Sequence, residues 1–215
     1  MARDPHWLEK MRCCLIAERA HCVGAWEATI EAALGAGIGA VQLREKQAAT
    51  LELFELAQRL REMTRRHEAL LLINDRADIA LAVGADGVHL GWQSLPVGAV
   101  RRLVGPELLV GKSVHNLEEA RRAPEEGLLD YLIASPVFDT PSKIGLVPTL
   151  GLDRLAELCR AVELPVIGLG GMDPLNAAEV LRAGAHGIAV IRAVLAAMEP
   201  GVAATRLLAA VENAR

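Results

Sequence analysis

The sequence predicts an α/β protein folded as a single (β/α)8 barrel, and three observations lead there. Short aliphatic runs alternate with longer helix-like segments along the 215 residues. Eight such runs occur, the number that closes a parallel barrel with helical crossovers. Hydrophobic residues make up 52% and aromatics only 3%. The core is therefore aliphatic, as befits a buried parallel sheet covered by helices.

Strands are expected at 13–17 (CCLIA), 38–43 (IGAVQL), 70–74 (LLLIN), 86–90 (DGVHL), 108–112 (LLVGK), 130–134 (DYLIA), 165–169 (PVIGL) and 187–191 (GIAVI). Helical patterns fill the gaps, among them 50–66 (TLELFELAQRLREMTRR) and 151–162 (GLDRLAELCRAV). A weak internal repeat marks the joints. LGAGIGAVQLR (34–44), AVGADGVHLG (82–91) and RAGAHGIAVI (182–191) each run from a helix end through a Gly-containing turn into a strand, and EEGLLDYLIAS (125–135) is a looser copy. The glycines suit left-handed helix caps and close strand starts, so most of them are structural. An open doubly wound sheet is the competing architecture, but no GxGxxG follows the first strand.

Charge and cysteine content exclude several classes. A net charge of -4 offers no basic stripe for nucleic acid. Cys13, Cys14, Cys22 and Cys159 show neither CxxC nor metal spacing, and read as reduced thiols of a cytosolic protein. Asp4, Glu9 and Lys10 precede any apolar run, unlike a signal peptide. No apolar stretch approaches the roughly 20 residues of a membrane helix. A soluble, cytoplasmic protein is expected.

In such a barrel the chemistry gathers at the C-terminal ends of the strands. In VQLREK (41–46), alternation puts Gln42, Arg44 and Lys46 on one face. At a barrel mouth, that face would offer a guanidinium fork, an ammonium and an amide to phosphate oxygens; otherwise Arg44 pairs with Glu45 or a neighbouring strand. INDR (73–76) adds Asn74 and Asp75. Asp75 either holds a divalent metal that a phosphate also ligates, or caps the helix beginning near Ala77.

GLGGMDP (168–174) leads through paired glycines to a helix start at Asp173-Pro174. Its backbone N–H groups, with those opening the helix after strand eight, can cradle a phosphate. FDTPSKIGLVPTLGLD (138–153) carries Thr140, Ser142 and Lys143 on a long loop. That loop suits a mobile lid which orders on phosphate binding, though a solvated connection has the same composition. Strand five contributes Lys112, Ser113 and His115. His89 reads as barrel-filling or hydrogen-bonded, and no histidine has a partner at metal spacing.

Taken together, VQLREK, INDR, GADGVHLG, GKSVH, PVFDTPSK and GLGGM, in this order across residues 38 to 192, resemble the thiamine-phosphate synthase family with its TenI-group thiazole tautomerase relatives. The resemblance implies a single-domain TIM barrel that joins hydroxymethylpyrimidine pyrophosphate to thiazole phosphate, releasing pyrophosphate with Mg2+. It implies that Gln42, Arg44, Lys46 and Asn74 bind the pyrimidine pyrophosphate and that Asp75 holds Mg2+. Ser113 and Lys143 would contact pyrophosphate, with Arg44 completing the catalytic set. Thr140, Ser142, Gly171, Ile191 and Arg192 would take the thiazole phosphate.

Three positions depart from the family pattern. Ser94 stands, by count, where the synthase has a second Mg2+-binding Asp, so metal affinity is expected to fall. Ile144-Gly145 fill a usually acidic position, and Arg192 replaces a Ser. The tautomerase resemblance in turn expects a His where this chain has Pro136. The phosphate-binding groups favour the synthase. A tautomerase, or a catalytically weak thiazole-phosphate binder with a regulatory role, are the alternatives. Expected partners are small phosphorylated substrates, with self-association open.

Overall fold

A computed structural model describes residues 4–123, 127–140 and 148–214. Eight parallel strands close on themselves in sequence order. They are β1 (Cys13–Ala17), β2 (Ala40–Leu43), β3 (Leu70–Asn74), β4 (Gly87–Leu90), β5 (Leu109–Val114), β6 (Tyr131–Ala134), β7 (Val166–Leu169) and β8 (Gly187–Val190). Helix α1 (Trp7–Lys10) precedes the barrel. The outer ring comprises α2 (Trp26–Gly35), α3 (Thr50–Arg66), α4 (Ala77–Val83), α5 (Val97–Val104), α6 (Leu117–Arg122), α7 (Gly151–Ala161), α8 (Ala177–Arg182), α9 (Arg192–Leu195) and α10 (Pro200–Glu212).

The expected elements are present, with shifted ends. β5 runs on to Val114, which places Ser113 inside the strand. α8 starts at Ala177, three residues beyond Pro174, because the Asp173 carboxylate accepts the backbone N–H groups of Leu175 and Asn176 and holds a turn there.

Alternation along the strands sorts the core into two layers. Cys14, Ile16, Ala40, Leu70, Leu72, Leu109, Tyr131, Ile133, Ile167 and Ala189 fill the barrel interior. The other face of each strand packs against the helices in a second aliphatic cluster. Met11 and Trp7 seal the N-terminal end, the Trp7 ring lying 6.5 Å from that of Tyr131. Tyr131 fits inside because residue 111 is glycine: a Cβ there would lie far inside van der Waals contact with the phenol Cζ.

The repeat has a structural counterpart between β3 and β4 and between β5 and β6. Asp86 donates its N–H to the Leu71 carbonyl, and its carboxylate accepts the Leu71 N–H at 2.7 Å and Arg61 Nη1 at 2.6 Å. Asp130 does the same with Val110, at 2.8 Å, and with Arg101, at 2.7 Å. Each Asp clasps the start of its strand to the preceding strand and neutralises an Arg from a helix. At Gly87, next to Asp86, a Cβ would lie 2.7 Å from both Leu109 Cβ and its carbonyl oxygen, so the strand start tolerates no side chain. Among the described residues no helix is long and apolar enough to cross a membrane.

Candidate active site

Strand pairing sets the residues of the barrel mouth side by side. Ala17 pairs with Leu43, Leu43 with Ile73, and Asn74 with His89. Glu18, Arg44, Asn74 and His89 therefore follow one another round adjoining strands. Gln42 sits one step below on β2, buried. Its Nε2 donates to Asn74 Oδ1 at 3.2 Å, and Asn74 Nδ2 donates to Asp75 Oδ2 at 2.7 Å. This chain of amides leaves Gln42 Oε1 buried with no hydrogen-bond partner among the described residues. An unmet acceptor at a barrel mouth leaves a place for a donor from water or from a ligand.

Arg44 Nη1 bonds Glu18 Oε2 at 2.5 Å, while Glu45 turns to Arg19 instead. Of the two expected roles for Arg44, the cross-strand salt bridge is formed. It engages one terminal nitrogen and leaves the rest of the fork without a partner among the described residues. Glu18 lies two residues beyond Ile16, on the same inward face as Cys14 and Ile16. Extending that alternation one step past the apolar run would have found it. Lys46 is exposed. Lys112 lies out of phase with the inward-facing Gly111 and Ser113.

Asp75 has φ +62°, a left-handed conformation that Asp and Asn tolerate better than most residues. That turn aims its carboxylate away from α4, whose N-cap is Arg76 without a side-chain cap bond. Asp75 Oδ1 accepts the Gly91 N–H at 3.2 Å and the Ser94 hydroxyl, and the Asp75 N–H donates to the His89 carbonyl. Ser94 thus meets Asp75 directly. No cluster of three or more His, Cys, Asp or Glu forms among the described residues. A carboxylate beside a hydroxyl is an oxygen-only donor pair. It fits a hard divalent cation that keeps waters and takes further oxygens from a bound phosphate.

His89 is buried, with Nε2 2.9 Å from Ser113 Oγ and Nδ1 3.3 Å from the Tyr131 hydroxyl. Burial pushes its pKa down from 6.5 to about 4; the Asp75 charge opposes this and that of Arg44 adds to it. Unfolded chains take up this proton near pH 6.5, folded ones only near 4. Between those values the unfolded state binds more protons. The stability contributed by neutral His89 is thus complete above pH 6.5 and drains away as the pH falls towards 4, by about 3 kcal/mol. Denaturation midpoints at pH 7.5 and 4.5 should therefore differ less in His89→Gln than in the wild type. Equal differences would refute the assignment.

The end expected to take a phosphate is built from backbone. Gly170 and Gly171 have φ +107° and +65°, and a Cβ on Gly171 would lie 2.7 Å from Phe138 Cβ and 2.9 Å from the Asp139 carbonyl oxygen. Asn176 Nδ2 holds the Gly171 carbonyl at 2.8 Å. Leu169 pairs with Ala189, so Gly171 and Ile191 stand two residues further along on adjacent strands. Ile191 is the N-cap of α9 and Arg192 its exposed first residue. Thr140 is half-buried just beyond Asp139. Ser142, Lys143, Ile144 and Gly145, and with them most of the expected lid, lie outside the described residues.

Residues 13–194 match the family model for thiamine monophosphate synthase. The chain belongs to the thiamine monophosphate synthase family. A thiamine-phosphate synthase of Chloroflexus aurantiacus is 48% identical over 184 residues, 86% of this chain and 84% of the relative. The bifunctional protein ThiM/ThiE of Symbiobacterium thermophilum is 48% identical over 186 residues, 86% of this chain; the match spans only 38% of that longer protein. The solved structure of thiamine phosphate pyrophosphorylase from Pyrococcus furiosus superposes with a TM-score of 0.87 at 37% identity, covering 96% of this chain and 98% of the other. The barrel and the family implied by the motifs are both borne out. All four cysteines are unpaired, and burial pushes the Cys13 thiol up to about 12.

Proposed function

We propose that this chain is a thiamine-phosphate synthase that condenses hydroxymethylpyrimidine pyrophosphate with thiazole phosphate, working in the cytoplasm with Mg2+. The observation that carries the reading is the 48% identity to a named thiamine-phosphate synthase over 86% of the chain. The mouth agrees with it in kind. Its groups are the amides of Gln42 and Asn74, the carboxylates of Glu18 and Asp75, the Arg44 guanidinium and the hydroxyls of Ser94 and Ser113, with burial disfavouring the charged form of His89.

The reaction needs little proton transfer from the protein. Cleavage of the pyrimidine C–O bond releases pyrophosphate and leaves a carbocation, which the thiazole nitrogen attacks to form the C–N bond. The protein's work is to orient the ring and to meet the charge that develops on the leaving oxygens. Gln42 Oε1, the unmet acceptor, suits a donor on the pyrimidine. Arg44, held by Glu18, presents its remaining N–H groups to pyrophosphate. Ser113 adds a hydroxyl on β5. The N–H groups at Gly171 and the start of α9, with Thr140, suit the thiazole phosphate. Asp75 and Ser94 would hold Mg2+, which when bound supplies positive charge to the leaving pyrophosphate.

The tautomerase alternative has less support: Pro136 occupies the place of its expected His. The test is incubation with both substrates across a Mg2+ series. Formation of thiamine phosphate supports the synthase. Its absence at every Mg2+ concentration, with consumption of a carboxythiazole tautomer, would establish the tautomerase; binding without turnover would establish the regulatory binder. With one carboxylate, the Mg2+ requirement should be high. Ser94→Asp should lower the half-saturating Mg2+ concentration by about tenfold, since a second carboxylate adds charge where a hydroxyl offers only a lone pair. An unchanged requirement would remove Ser94 from the metal site.

A further inference from the structure

We propose that His89 and Tyr131 are positioning residues that fix the direction of the Ser113 hydroxyl, so that its O–H points into the barrel mouth as a donor. The inference rests on the synthase reading for what the donor meets, but the relay itself stands on hydrogen-bond geometry.

The imidazole of His89 has one partner at each nitrogen: the Tyr131 hydroxyl at Nδ1 and Ser113 Oγ at Nε2. Each nitrogen of this buried ring faces a hydroxyl, which can donate or accept, and neither faces a carboxylate among the described residues, so the imidazole carrying one proton has two arrangements to choose from. With the proton on Nδ1, the ring donates to Tyr131 Oη. The tyrosine O–H, fully buried, is then left without an acceptor among the described residues, and Ser113 spends its own proton on Nε2. With the proton on Nε2, Tyr131 donates to Nδ1 and the ring donates to Ser113 Oγ. Every buried donor is then met, and only the Ser113 proton remains to be given away. A buried unmet donor costs about as much as a lost hydrogen bond, so the second arrangement wins. Ser113 is half-buried where β5 reaches the mouth, and its hydroxyl has no other partner among the described residues.

The scaffold commits the chain to this relay. Tyr131 stacks with His89 at 5.7 Å between ring centroids and is backed by Trp7. Gly111 leaves the space the phenol ring occupies, since any Cβ there would displace it. A hydroxyl locked as a donor suits an anion, whereas one free to rotate would lose part of that preorganisation.

Two measurements decide the matter. In 15N NMR of the labelled full-length protein, the His89 ring should show a protonated Nε2 and an unprotonated Nδ1, and Tyr131→Phe should mix the tautomers. In kinetics, Tyr131→Phe keeps the ring and its packing. It should lower kcat about tenfold, the scale of one hydrogen bond to a charged group, with KM for thiazole phosphate unchanged. In a Ser113→Ala background the same substitution should cost nothing more. His89→Gln, whose amide can still donate towards Ser113, should retain more activity than His89→Leu. A proton found on Nδ1, or losses from Tyr131→Phe and Ser113→Ala that multiply, would overturn the relay. Absence of thiamine phosphate from the wild type would instead sink the synthase reading, and the NMR result alone would then decide the relay.

Discussion

Asp86→Ala should destabilise the protein by about 3–5 kcal/mol, the usual cost of removing one partner of a buried ion pair. For a chain of this size that is a fall in Tm of about 10 °C. Arg61 is buried, and its Nη1 bonds Asp86 at 2.6 Å; apart from that its guanidinium has, among the described residues, only the Gly84 carbonyl at 3.5 Å. Its Nε already lacks a partner among the described residues. Losing Asp86 strands the guanidinium and orphans the Leu71 N–H between β3 and β4. The equivalent change Asp130→Ala should cost about half as much. Arg101 keeps the carbonyls of Leu128, Gly105 and Leu108, each within 3.0 Å, when its carboxylate goes. Asp86→Asn should recover part of the loss, because it restores an acceptor for Leu71. Chemical denaturation of the three variants gives the order directly. A larger loss at Asp130 than at Asp86 would show that residual carbonyl contacts do not compensate a buried guanidinium.

The barrel was legible because its signals are periodic. Strand alternation and recurrent glycine turns are written locally, and their number is that of a closed (β/α)8 barrel. The Gln42, Arg44 and Asn74 set was legible for the same reason: residues of one parity at strand ends share a face. What escaped the reading depends on a neighbour's register. Glu18 becomes the partner of Arg44 only when β1 pairs with β2 so that Ala17 meets Leu43. Tyr131 reaches His89 only because Gly111, on the intervening strand, leaves room for a ring. Asp75 was ambiguous between cap and ligand because both need an acidic residue just before a helix. A single dihedral, φ +62°, turns it towards Ser94, and no spacing rule encodes that.

That same dihedral makes Asp75→Asn the cleanest test of the proposed metal role. Asn adopts the left-handed conformation at least as readily as Asp and keeps an oxygen for the Gly91 N–H and the Ser94 hydroxyl. The turn should therefore be kept, with stability falling by no more than about 1 kcal/mol, the scale of the one hydrogen bond from Asn74 Nδ2 that loses its acceptor. What disappears is the carboxylate that the described residues offer to a cation beside Ser94, together with the charge that Asn74 Nδ2 now meets at 2.7 Å. Turnover to thiamine phosphate should fall by about a hundredfold to a thousandfold, the scale of losing a preorganised electrostatic contact to a developing charge. Raising Mg2+ should recover part of it, because a substrate pyrophosphate can bring the ion with it. The companion change Asp75→Ala gives a check on interpretation. It removes the oxygen as well and puts a Cβ without a polar group into a left-handed turn, so it should lose stability in addition to activity. Should Asp75→Asn retain wild-type turnover at limiting Mg2+, Asp75 would be a structural clasp between β3 and the loop after β4, and the metal would have to be held without it.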